Sequence, residues 1–348
     1  MNFDLSTEQQ AIKNAARDFL AAKADLRAVR RQVDAGTYDD ALWQGIHNQG
    51  WTGIAIPESH GGAGLGYVEL AVVMEEFGDA CAPTTLFSNT IAAILLEFGG
   101  SDAQKARWLT ALASGDKRGS AGSVTRDGTA LVPDAETADV IVLIEGGSAR
   151  LVERGAATIM PVKTIDITRR YSRVRADDGE PLPADVAGAL QRVEVVLAAE
   201  LVGVAQRAME LAVEYAKNRQ QFGRPIGAYQ AVSHRCAEML VDVESARSAT
   251  YFAAWAADAE PTTLPLASSV AKAAAAETGW KVAASSLQVH GGIGFTWEHD
   301  LHFFMKRAAA DARLFGSVSE HRDRVAGAFG LDGADAAVQQ PAPELATV

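Results

Sequence analysis

Over most of this chain apolar residues recur with a helical period, and that period breaks once, near the middle. Ser6 followed by Gln9 has the form of a capping box, and Ile12, Ala15, Ala16 and Phe19 then fall on one helix face. Further helices are predicted at 39–49, 66–79, 86–98 and 102–114, separated by Pro57-Glu-Ser-His-Gly61-Gly62-Ala-Gly64, by Cys81-Ala-Pro83 and by Gly99-Gly100-Ser101-Asp102. From Lys117 to about Arg175 the text changes to short β-like runs such as Val140–Ile144 and Ala157–Met160, punctuated by Gly and Asp. The stretch Val162 to Thr168 alternates apolar with polar and predicts a half-buried strand. Helical spacing then returns at about 184–217, 225–258, 263–289, 299–313 and 317–328, and the longest of these runs predict an antiparallel bundle.

The expected architecture is mostly α with an inserted small β-domain. Residues 1–116 read as an N-terminal helical domain, 117–180 as a shortened middle β-domain and 181–330 as a C-terminal helical bundle. Residues 331–348, rich in Ala, Asp, Gln and Pro, read as a disordered tail.

Composition narrows the function classes. The 348 residues are 48% hydrophobic and 22% charged, ample for a sizeable core. A net charge of -12 argues against a nucleic-acid partner, whose phosphates require a basic surface. Cys81 and Cys236, the two cysteines, lie in no metal-ligand spacing and are expected to sit reduced and buried. The N-terminus lacks the pattern of a signal peptide, and no apolar run is long enough to cross a bilayer. A cytoplasmic, soluble protein is the expectation.

The most specific chemistry lies in Arg219-Gln-Gln-Phe222-Gly223-Arg-Pro-Ile226-Gly-Ala-Tyr-Gln230, followed downstream by Gln288-Val-His-Gly291-Gly292. Arg219 offers a planar donor fork suited to phosphate oxygens, and Phe222 a ring on which an adenine could pack. Gly223, Gly291 and Gly292 would let backbone N–H groups approach closely, and Gln230 and Gln288 can supply neutral hydrogen bonds. The bland alternative makes Arg219 a solvated helix-end cation and Gly223 a helix stop. His234 and His290 are read as packed or hydrogen-bonded histidines, and Glu298 and Asp300 as helix-capping acids.

These motifs resemble the flavin-binding signature of the acyl-CoA dehydrogenases. Pro57-Glu-Ser-His-Gly-Gly-Ala-Gly-Leu-Gly66 and Gly294-Phe-Thr-Trp-Glu-His-Asp300 look like two further family segments, and the resemblance runs from the N-terminus to about residue 328. It implies FAD as cofactor, an acyl-CoA substrate oxidised to a 2-enoyl-CoA, and an electron-transfer flavoprotein or similar acceptor. It also implies an oligomer in which Arg219, Phe222, Gly223, Gln230, Gln288, Gly291 and Gly292 reach a neighbouring subunit's flavin.

The same resemblance locates a departure. Removing the α-proton of a thioester needs a positioned carboxylate. Alignment on Met305-Lys-Arg puts Gly316 where the family carries a glutamate, and the alternative upstream Glu-Arg position falls on Val193-Glu194. Glu194 is one residue, about 100° of helix, from that position, so a surface charge is its more natural reading. Glu200, on the same helix, is a weaker candidate. The family's ring-contacting motifs of the middle domain find no match in Gly119–Arg126 or Val132–Asp139. Three functions remain in view. One is a base-lacking subunit paired with a homologous catalytic chain, as in some actinobacterial steroid-degrading members, for a bulky acyl-CoA. The second is a self-sufficient homo-oligomer using Glu194, and the third a flavin-free structural or regulatory protein.

Overall fold

In a computed structural model that describes residues 4–331, the Ser6 capping box forms as expected. Gln9 N–H donates to the Ser6 hydroxyl at 3.2 Å and Ser6 N–H to the Gln9 side chain at 2.9 Å. It opens α1 (Thr7–Lys23), followed by α2 (Leu26–Ala35), α3 (Asp40–Asn48), α4 (Tyr67–Asp79), α5 (Leu86–Gly99) and α6 (Asp102–Ala113). Ser101 starts α6 with a second capping box, to Gln104. Helix α5 is buried along nearly its whole length, which its almost unbroken apolar run requires.

Seven strands follow: β1 (Gly119–Ser123), β2 (Ala130–Pro133), β3 (Val140–Glu145), β4 (Ser148–Glu153), β5 (Thr158–Val162), β6 (Tyr171–Arg175) and β7 (Glu180–Pro181). They build a four-stranded sheet, ordered β1-β3-β4-β7, and a three-stranded sheet, ordered β2-β6-β5. β1 and β3 run parallel, with Gly119 opposite Val140, and β3 pairs β4 antiparallel, with Val140 opposite Glu153. Strand β3 is covered on both faces. Val140, Val142 and Ile144 join the core shared with the helices, whereas Ile141 and Leu143 join a separate core between the sheets. The period of two thus divides one continuous apolar run between two cores.

The strand expected over 162–168 does not form. β5 ends at Val162, and the following residues fold into a loop that buries Asp166 and Thr168 while leaving Ile165 at 59% exposed. The alternation is inverted because the polar side chains have the stronger partners inside, described below.

The chain closes with α7 (Ala187–Asn218), a hairpin of β8 (Gln220–Gln221) and β9 (Arg224–Pro225), α8 (Gln230–Ala259), α9 (Leu264–His290), α10 (Leu301–Asp311) and α11 (Val318–Ala328). Helix α8 begins at Gln230 rather than at 225, because the hairpin and a single turn at Ile226–Ala228 occupy the intervening residues. With 32 residues, α7 spans about 48 Å and forms the spine of the bundle. Helices α4 and α7 cross at backbone contact. A Cβ on Gly78 would lie 2.0 Å from the Glu200 carbonyl oxygen, and one on Gly203 would lie 1.8 Å from that of Glu75. Only glycine fits at either position. Of the expected tail, only Leu331 falls among the described residues. Among those residues no helix is long and apolar enough to cross a membrane.

Beside this crossing lies a buried ionic cluster. Arg307 of α10 donates to Asp166 at 2.6 Å, to Glu200 at 2.7 Å and to the Thr168 hydroxyl at 2.7 Å. Arg169 donates to both Glu200 oxygens, at 2.6 and 2.8 Å, and to Asp311 at 2.8 Å, and its guanidinium lies 4.3 Å from the centre of the Phe87 ring. Three carboxylates therefore face two guanidinium groups. Burial, with the nearby Glu200 charge, pushes Asp311 up to about 7 against the pull of Arg169. Burial also raises Asp166 and Glu200, but the two arginines more than reverse this and hold both below the ordinary range. Asp311 is thus the member whose carboxyl is shifted towards the neutral form.

Replacing Arg307 by methionine would leave Asp166 and Glu200 buried without their shared cation. The expected loss is about 3–5 kcal/mol of unfolding free energy, measured by chemical denaturation. Arg17, which pairs with Glu76 at 2.9 Å but has a side chain 59% exposed, gives the contrast. Arg17→Met should cost less than about 1 kcal/mol in the same assay.

Candidate functional site

The two sequence motifs converge on one end of the bundle. Arg219 follows the last turn of α7, its N–H donating to Tyr215 O at 2.8 Å, and the β8–β9 hairpin projects beyond it. Phe222 and Gly223 form the hairpin's two-residue turn with φ of 54° and 79°, the paired positive values that such turns favour. Tyr229 braces the hairpin, donating its hydroxyl to Gln221 O at 3.2 Å beneath the Arg224 guanidinium at 4.1 Å. The Phe222 ring is left 91% exposed, an unusual position for a large apolar group on a strained backbone.

Helix α9 reaches the same end, because the Tyr215 and His290 rings lie 4.7 Å apart. Gly291 ends it at φ 61° and ψ −140°, a conformation essentially restricted to glycine. A Cβ on Gly291 or Gly292 would meet nothing within 4 Å, so this chain leaves the space in front of them open. Gln288 is exposed one turn earlier, and Gln230 is exposed at the start of α8. Among the described residues no carboxylate pairs with Arg219. The arrangement presents an unpaired cation, a ring touched only by the edge of Tyr229 and an open glycine pair outward, away from the chain's own core.

The neighbouring polar residues are structural, with corrections. His290 is buried, its Nδ1 2.8 Å from Ser286 O, and burial holds it below the usual histidine range. His234 instead faces solvent, so it is not packed. Asp300 stands at the N-cap of α10 but makes no side-chain cap there, pairing with Arg30 instead. Glu298 does not cap either: its carbonyl oxygen accepts from Arg30 at 3.5 Å, and His299 Nδ1 accepts the Leu301 N–H at 3.1 Å. Cys81 is buried as expected, whereas Cys236 is only half-buried.

The expected base position lies in the turn between α10 and α11. Phe315 has φ 54° and Gly316 φ 112°, and a Cβ on Gly316 would lie 2.7 Å from His321 Nε2. Lys272, fully buried on α9, donates to Ala312 O at 3.2 Å and to Gly316 O at 3.3 Å, and burial brings its ammonium down to about 8. Glu194 is not a surface charge. It is 2% exposed, accepting from Ser268 at 2.8 Å and from Arg324 at 2.6 Å, and burial raises its carboxyl. Glu200 is wholly engaged by the arginine cluster.

An apolar cleft of about 970 Å³ separates the β-domain from this turn. Leu131 and Tyr171 line one wall, and Trp280, Leu314 and Phe315 the other. Glu194 does not line it; Glu277, paired with Arg322, does. Neither Glu277 nor the arginine cluster was singled out from sequence. The signal for the cluster was the acid–hydroxyl–cation run Asp166-Ile-Thr168-Arg169, which the alternation of Ile165 and Ile167 concealed.

Two family models and several known proteins match this chain. The family described as "Acyl-CoA dehydrogenase, N-terminal domain" matches residues 6–116, and "Acyl-CoA dehydrogenase, C-terminal domain" matches 184–329. Acyl-CoA dehydrogenase IpdE2 of Mycobacterium tuberculosis is 38% identical over 317 residues, covering 90% of this chain and 94% of the relative. The Tcur3481-Tcur3483 steroid ACAD has a similar structure, with a TM-score of 0.83 and 26% identity over 93% of this chain and 98% of that one. A chain of the M. tuberculosis ChsE4-ChsE5 complex superposes with a TM-score of 0.84 at 24% identity, covering 95% and 99%. The FAD complex of PigA gives a TM-score of 0.84 at 22% identity, covering 96% and 100%.

The histidines of this region set a pH dependence. His302 stacks on Trp297 at 4.4 Å with Lys306 Nζ 3.4 Å from its Nδ1, and burial followed by the Lys306 charge takes it from 6.5 to about 4. Burial and then Lys272 take His321 from 6.5 to about 4 as well. Between those values the unfolded chain binds the protons first, so this stability is complete above pH 6.5 and declines as pH falls towards 4. Thermal unfolding followed across this window should show a shallower acid-side decline in His302→Gln than in the wild type.

Proposed function

The chain belongs to the acyl-CoA dehydrogenase family, FAD-dependent oxidoreductases acting on CH–CH bonds, and from that premise we propose that it is the base-lacking subunit of a heteromeric member. Its partner would be a homologous chain that carries the glutamate, and the joint reaction the conversion of an acyl-CoA thioester to a 2-enoyl-CoA. The observation that carries this reading is Gly316. At φ 112°, with a virtual Cβ 2.7 Å from His321, the turn has no room for the carboxylate that proton abstraction requires. Glu194 gives no substitute, since both its oxygens are occupied between helices and it stands off the cleft.

The outward-facing end of the bundle fits a group with a pyrophosphate and an aromatic ring. Arg219 would pair with phosphate oxygens, Phe222 would pack on the adenine, and Gly291 and Gly292 would let backbone N–H groups approach where a Cβ would intrude. Gly223 gives the hairpin its turn, and Gln230 and Gln288 supply neutral hydrogen bonds. Because these groups point away from the chain's own core, they serve a flavin held by the neighbouring subunit. When bound, the flavin accepts the hydride that leaves the acyl β-carbon. This chain's part is to bind and orient it.

Two similar proteins support the finer reading. One is a steroid ACAD and one a complex of two differently named chains, ChsE4 and ChsE5. A bulky, ring-bearing acyl-CoA, a cytoplasmic setting and an electron-transfer flavoprotein or similar acceptor complete the proposal.

The visible spectrum tests it. The chain purified alone should carry no flavin that acyl-CoA can bleach, whereas the chain co-expressed with its homologous partner should be yellow and bleach anaerobically. Bleachable flavin in the lone chain would overturn the assignment. In the complex, Arg219→Ala removes a charge-assisted contact and should weaken flavin retention roughly tenfold or more, read by flavin released on dilution.

A further inference from the structure

The base-free turn carries one inference more, and it rests on the reading of Gly316 above. We propose that His321 is a positioning residue that closes the Leu314–Ser317 turn to any side chain at position 316. The absence of the base would then be built into α11 as well as into the turn itself.

Helix α11 begins with a side-chain cap. Ser317 caps it in a capping box, its N–H donating to Glu320 at 2.6 Å and its hydroxyl accepting from Glu320 N–H at 3.3 Å. The helix therefore starts immediately after Gly316, and His321 sits one turn further on, fully buried. Its Nε2 lies 3.2 Å from Phe315 O. A carbonyl oxygen can only accept, so Nε2 carries the hydrogen. Three atoms of the same ring fill the space a side chain at 316 would enter, at 2.7, 3.3 and 3.4 Å from the virtual Cβ.

Neither side of the turn can move away. Lys272 holds Ala312 O and Gly316 O from α9, while His321 holds Phe315 O from α11. Helix α11 is itself fixed, because Arg324 donates to Glu194 on α7 at 2.6 Å, and Glu194 also accepts from Ser268 on α9. This gives the buried Glu194 a role unrelated to proton abstraction. It anchors the helix that carries His321, and the positive φ at 315 and 316 is held by carbonyls that have fixed donors.

A double-mutant cycle on the full chain tests the proposal by thermal unfolding. Gly316→Ala should lower the midpoint by roughly 5–10 °C in the wild-type background, from backbone strain plus the clash with His321. In the His321→Ala background, with Phe315 O released and the volume vacated, the same substitution should cost less than half as much. His321→Gln keeps a long side chain and an N–H donor, and should restore most of the penalty. Should His321→Ala not fold, His321→Asn supplies the shorter side chain for the same cycle. Equal penalties in the wild-type and shortened backgrounds would overturn the proposal, as would a glutamine background indistinguishable from the alanine one. No step uses flavin or turnover. Bleachable flavin in the lone wild-type chain would therefore overturn the subunit assignment while leaving this coupling intact.

Discussion

Two arginines without access to water set the terms for the rest of this fold. An unpaired buried guanidinium is among the costliest groups a protein can hold, so Arg307 and Arg169 dictate where Asp166, Thr168, Glu200 and Asp311 must be. Those partners come from the β-domain loop, from α7 and from α10. Satisfying two side chains thus fixes three parts of the molecule against one another. Such a cluster contributes register more than net stability, because an apolar filling of the same volume could pack as well but would not choose one alignment. The Phe87 ring beneath Arg169 and the Cys81 thiol 3.5 Å from Thr168 bring α5 and the end of α4 into the same arrangement.

The proposed flavin-facing end lies away from this cluster, and its character differs accordingly. Around the cluster each of the three carboxylates has a guanidinium partner. At the bundle end, Arg219 has no ionic partner among the described residues, Phe222 meets only the edge of Tyr229, and the glycine pair opens onto empty space. Under the proposed function these outward groups would meet the flavin of a neighbouring subunit. The turn at Gly316 shows the opposite economy, since the carbonyls of Phe315, Gly316 and Ser317 are all held. Under the proposed function, one face would take a ligand and the other would be closed against a chemistry.

Much of this was legible in sequence where the signal is local. The helices at 66–79, 86–98, 102–114 and 263–289 end within about two residues of their expected limits, because caps, glycines and apolar spacing are nearest-neighbour information. The inserted β-region was equally plain from Val140–Ile144. What could not be read was set by partners far away along the chain. Asp166 and Thr168 lie inside because Arg307, some 140 residues later, waits for them, and no periodicity within 162–168 carries that information. Glu194 looked like a surface charge on an amphipathic helix because neither Arg324 nor Ser268 is visible from α7. Asp300 read as a cap, yet Arg30 on α2 claims its carboxylate.

The crossing of α4 and α7 at Gly78 and Gly203 bears on how the molecule can move. Domain closure usually proceeds by side chains sliding or repacking across an interface, or by a hinge that absorbs the rotation. At Gly78 and Gly203 main chain touches main chain, so at those two points there is no side chain to slide. The seam behaves as a rivet, and the N-terminal helices and the bundle travel as one body. Breathing of the apolar cleft is then left to its β-domain wall. Slow opening of the amides in β1 and β2, with α4 and α7 protected until global unfolding, is the hydrogen-exchange pattern that such mechanics would leave.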